Sequence, residues 1–133
     1  MAATLFDELG GQPALVAIID RFVDRIFEDT MIGFLFAGVS KARLKRLEYE
    51  FAAQHLGADV VYSGRPISEA HRKHRIMGGQ FRRRLVILQE TLAEFRVSAH
   101  IVDHWVQHTL ALEAQVTHDT GGACTAMTSG KDS

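Results

Sequence analysis

Residues 68–79, SEAHRKHRIMGG, place His71 and His74 three apart ahead of a double glycine, with Arg72, Lys73 and Arg75 around them. A neutral imidazole on a short anchored segment is a good metal ligand, provided its second ring nitrogen can donate to a carbonyl or carboxylate. The plainer alternative is a solvated basic turn. His100, His104 and His108 recur every four residues, which stacks them on one helical face where two imidazoles can share a metal. No Asp, Glu or Cys at a fitting position completes that row, so it reads as a surface stripe with weak metal affinity.

Glu48 is the third feature. At about 100° per residue, Leu44, Leu47, Glu48, Phe51 and His55 share one sector of a helix. A carboxylate in an apolar stripe must be protonated, paired or in contact with a ligand. Two uses fit it: an ion pair with an arginine from a neighbouring helix, or a place on the wall of a cavity. His55, at the end of the same stripe, reads as a hydrogen-bonded core or edge histidine.

The elements that must carry these residues are helical. Leu15, Ile18, Ile19, Phe22, Val23 and Ile26 recur at helical spacing over 14–27, after a turn at Gly10-Gly11 and Pro13. A loop with Phe34, Leu35 and Phe36 follows, and Ser40 caps a helix over 41–56. Residues 57–66 lack helical period and read as a loop, and a short helix over 67–75 carries the two histidines. Gly78-Gly79 end that segment. Phe81, Leu85, Leu88 and Leu92 define the next amphipathic helix, with Arg82, Arg83 and Arg84 on its more solvated side. A last helix spans 98–116, with Ile101, Trp105 and Leu112 on one stripe. The small, polar residues 117–133 read as a disordered tail, leaving 1–116 as one all-α domain of about five helices.

Composition excludes several classes. Fifteen basic against sixteen acidic residues leave a net charge of -1, which gives no drive toward nucleic acid or acidic membranes. Cys124 is the lone cysteine, so disulfide frameworks and thiolate metal clusters are excluded and a reducing compartment fits. No run approaches the roughly 18 apolar residues of a membrane span, and the start MAATLFDELGG does not resemble a secretion signal. The expected location is the cytoplasm.

LFDELGG, DRFVDRIFED followed by FLFAG, EFAAQHLGA and VYSGRPISEAH occur in that order, and together they resemble the truncated haemoglobins, the small globins with a two-over-two helical sandwich. The likeness runs from Leu5 to Val116 and points to the first group of that family. It implies haem b, with His71 as the proximal iron ligand and Phe36 as the haem-edge phenylalanine. It also implies a distal side of Val23, Leu44, Leu47 and Glu48, with Phe81 in the cofactor-binding set. Arg43, Tyr62, His74 and Arg75 become candidate propionate contacts.

The chain departs from the family pattern where ligands are held. Val23 stands where a distal tyrosine is usual, Leu44 and Glu48 where glutamine or other polar residues are frequent, and Gly57-Ala58 where a double glycine closes the distal helix. The resemblance therefore implies a haem protein for dioxygen, nitric oxide or related small ligands, in binding, sensing or detoxification. An ionised Glu48 accepts hydrogen bonds but donates none, whereas a protonated one donates, so weak or pH-dependent dioxygen binding is expected. One alternative is a peroxidase-like or nitric-oxide-oxidising enzyme with Glu48 as acid–base group, served by a reductase. A second alternative is a haem-free helical module that holds metal on the His100, His104 and His108 row. A monomer and a homodimer both fit.

Overall fold

The computed structural model describes residues 3–65 and 77–117. They form helices α1 (Leu5–Leu9), α2 (Gly11–Glu28), a 3-10 turn (Gly33–Phe36), α3 (Lys41–His55), α4 (Gly78–Glu94), α5 (Ala99–Leu110) and α6 (Glu113–Val116). His71, His74, Arg75, the expected helix over 67–75 and the tail from 118 onward lie outside the described residues.

Helix boundaries follow from which backbone groups need partners. Thr4 Oγ1 accepts from Asp7 N at 3.0 Å, and Asp7 Oδ2 accepts from Thr4 N at 3.2 Å, which satisfies two otherwise unpaired donors at the start of α1. Gly10 then turns the chain with φ 122°, a region that side chains disfavour, and an added Cβ would lie 2.8 Å from the Ala14 Cβ. α2 begins at Gly11, earlier than expected, because Pro13 falls in a first turn whose N–H groups have no intrahelical partner.

The same reasoning applies to the second double glycine. Gly78-Gly79 open α4, and the segment they were expected to end lies outside the described residues. Gln80 Oε1 reaches back to accept from Met77 N at 2.8 Å, which anchors that start. The expected helix over 98–116 divides at residues 111–112, where Leu112 N bonds the carbonyl three residues back, at Thr109.

α2 is the central element. Leu15, Ile18, Ile19, Phe22, Val23 and Ile26 are all buried, and α2 packs on α1, α3 and α4, while α4 packs on α5. Leu85, Leu88 and Leu92 of α4 and Ile101 and Trp105 of α5 close the same core. The stripe on α3 behaves differently. Only Ala52 and Ala53 are buried within that helix, and Leu44, Leu47, Glu48 and Phe51 stay half-buried although they share a face. An apolar face that protein leaves half-covered marks where something else can pack.

Candidate cofactor and ligand cavity

A cavity of about 340 Å³ accounts for that half-covered face. Leu44, Leu47, Glu48 and Phe51 of α3 form one wall, and Ile19 and Phe22 of α2 contribute to it from behind. Leu35 and Phe36 of the 3-10 turn, Phe81, Arg84 and Leu88 of α4, and Trp105 and His108 of α5 close other sides. Arg43, Tyr62 and Arg65 also reach the lining. Phe36 stacks on Phe27 with ring centroids 5.3 Å apart, which fixes its ring at the wall.

Of the residues expected to act together, the fold brings Phe36, Arg43, Leu44, Leu47, Glu48, Tyr62 and Phe81 to this one cavity. Val23 is placed otherwise: fully buried in the helical core, it is absent from the lining, where its neighbours Ile19 and Phe22 stand. The cause is the direction of the helical face. Residues 19 and 22 point together toward α3 and α4, and the next residue is turned about 100° away.

Glu48 combines both expected uses. It lines the cavity, and its two carboxylate oxygens accept from Arg84 Nη2 at 2.9 and 3.0 Å. The guanidinium carbon lies 4.9 Å from the Phe22 ring centroid, within cation–π range. Tyr62, held edge-on to Phe51 at 5.2 Å, has its hydroxyl pKa raised by burial and then by the negative Glu48 nearby.

Arg84 does not sit on a solvated side of α4. Three consecutive arginines part company there. Arg82 pairs with Glu113 in the open at 2.8 Å, Arg83 ties Asp29 at 2.7 Å, and Arg84 turns inward. The signal was in the spacing: Arg84 lies three after Phe81 and four before Leu88, on the apolar stripe itself.

The histidine row also separates. His100 turns to Glu8 at 2.7 Å, whereas His104 Nε2 donates to the His55 backbone carbonyl at 3.1 Å. His108 stacks on His55, with centroids 3.9 Å apart and planes inclined by 13°. Among the described residues no group of three His, Cys, Asp or Glu side chains is arranged to hold a metal ion, and the three histidines of the row turn to different partners. Burial first, and then the neighbouring His108 and His104, push the His55 pKa from 6.5 down to about 3. Its Nδ1 is buried without a hydrogen-bond partner among the described residues. No helix among the described residues is long and apolar enough to cross a membrane.

The family model for bacterial-like globins matches residues 4–118. The chain belongs to the bacterial-like globin family. Among its relatives, the group 1 truncated hemoglobin GlbN of Synechocystis is 30% identical over 104 residues, covering 75% of this chain and 84% of that protein. The group 1 truncated hemoglobin GlbN of Mycolicibacterium paratuberculosis is 33% identical over 69 residues, or 52% of this chain and 51% of that protein. The chain thus spans about half the length of several curated relatives it matches.

Solved structures agree in fold. The ferric truncated hemoglobin of Tetrahymena pyriformis superposes with a TM-score of 0.81 at 20% identity, covering 86% of this chain and 98% of that one. The 2/2 hemoglobin of Synechococcus, in its cyanomet state with covalently attached heme, superposes with a TM-score of 0.81 at 22% identity over the same shares. This globin is therefore an all-α, two-over-two truncated haemoglobin in architecture.

Proposed function

We propose that this globin holds haem b in the cavity, with His71 as the iron ligand, and that its function is to bind a small ligand on the side lined by Glu48. The observation that carries the reading is the apolar face of α3: Leu44, Leu47 and Phe51 stay half-buried against a cavity of about 340 Å³ among the described residues. The residues present fit the group. The walls are apolar, while Arg43 and Arg65 on the lining supply cations and Tyr62 a hydroxyl for two propionates. Haem supplies an iron that coordinates a small ligand once an imidazole fills its proximal position.

The chain does the rest. Phe36 and Phe81, on the cavity wall, would hold the group by apolar contact, and Leu44 and Leu47 would keep water from the ligand. Glu48 is held by Arg84, so it is an ion-paired carboxylate rather than a lone base. A lone cysteine suits a reducing cytoplasm.

The test is the visible absorption spectrum of the purified protein, in ferric and ferrous forms. A red protein with a Soret band, lost or shifted in His71→Ala, is the expected result. A colourless wild type that cannot be reconstituted with haem overturns the reading.

A further inference from the structure

The polar pole of the cavity contains one residue that neither the family pattern nor Glu48 accounts for. Arg84 enters from α4, and a single nitrogen, Nη2, binds both oxygens of Glu48. A guanidinium carries five N–H donors, and Nη2 supplies only two of them. Among the described residues Nε and Nη1 make no hydrogen bond, although Arg84 lines the cavity and is only 28% exposed. Glu48 is 22% exposed, so solvent screens the pair only in part.

Resting on the haem reading above, we infer that Arg84 is the specificity-determining residue of the site, and that it selects small anionic ligands over neutral diatomic ones. Glu48 is the positioning residue. It holds the guanidinium in the cavity by one nitrogen and leaves the remaining donors for the ligand. An anion gains charge-assisted hydrogen bonds from those donors, while a neutral, weakly polar ligand gains little. Arg43 of the same helix and Arg65 of the following loop add positive charge to the wall. Burial and then the negative Glu48 raise the Tyr62 pKa, burial pushes His55 down to about 3, and burial lowers His108 as well. Arg84 is the cation that α4 brings to the cavity, where Glu48 pairs with it.

The experiment compares azide binding to the ferric haem-loaded protein with carbon monoxide binding to the ferrous one, near neutral pH and at fixed ionic strength. Arg84→Leu is expected to weaken azide relative to carbon monoxide by about tenfold or more. Arg84→Lys should recover part of the loss, since it keeps the charge but not the planar fork. Glu48→Gln removes the opposing negative charge but keeps one amide oxygen to accept from Arg84 Nη2, so azide should bind at least as tightly as in the wild type. In the wild type, the Arg84 Nε–H proton resonance should shift on azide addition, a direct reading independent of affinity. A relative change of about threefold or less in both Arg84→Leu and Arg84→Gln overturns the inference, as does an equal loss for both ligands. The carbon monoxide spectrum of each variant checks that the pocket is intact. A wild type that takes up no haem defeats the earlier reading. A red protein whose azide affinity ignores Arg84 defeats only this one.

Discussion

Glu48 and His55 stand seven residues apart on one face of α3 and line the same cavity, yet they meet different neighbours. Glu48 receives an opposite charge, the Arg84 guanidinium, on both of its oxygens. Among the described residues His55 meets other rings, His108 stacked at 3.9 Å and His104 at 5.4 Å, with Trp105 edge-on at 5.7 Å. The two solutions have different consequences. A pair of opposite charges lets both groups stay ionised in a half-buried place, whereas like imidazoles packed together must stay neutral. The Glu48 end of the cavity is therefore a paired carboxylate and guanidinium, and the His55 end a stack of rings around an uncharged imidazole.

Acid is the strongest way to break this contrast. With the folded pKa of His55 near 3 and the unfolded value at 6.5, the unfolded chain binds more protons between those limits. Stability then rises with pH, and it falls on acidification by about 1.4 kcal/mol per pH unit within the window. Lowered carboxylate pKa values at Asp24, Asp29 and Glu50 add their own loss only around and below pH 4, near their ordinary values of 3.8 to 4.5. Urea melts from just above pH 6 down to pH 5 should show the histidine slope, and His55→Gln should flatten it. An unchanged slope in that variant means that His55 is not the group that titrates.

Charge pairing gives the next effect. Arg84→Leu leaves Glu48 half-buried without its partner and is expected to cost about 1–2 kcal/mol, below the fully buried case because water reaches both side chains. Glu48→Leu with Arg84→Leu should recover most of that cost, because no charge is left unpaired. Denaturant midpoints of the two singles and the double measure the coupling. An additive result denies that the pair acts as a unit. The smallest effect belongs to Arg82, whose contact with Glu113 lies in solvent. Arg82→Ala should change stability by less than about 0.5 kcal/mol, and a larger loss would show that exposure does not govern these arginines.

The sequence by itself determined the helical class, the core face of α2 and the register of α3, because these depend on periodic placement of apolar groups along the chain. It also made Glu48 conspicuous, since a carboxylate on such a stripe needs an explanation that local structure cannot supply. The position of Phe36 on the cavity was legible through the resemblance in FLFAG, and those of Leu44 and Leu47 through the apolar stripe of α3 that runs into EFAAQHLGA. Arg84 was missed because three successive arginines resemble a solvated face, although its place between Phe81 and Leu88 put it on the buried one. Only the tertiary structure decided the partners. It joined Arg84 of α4 to Glu48 of α3, and it split the histidine row so that His100 meets Glu8 while His108 meets His55. Spacing along one helix determines which side chains share a face. Which charge or ring stands opposite is set by how two helices pack, and that depends on every residue in their interface.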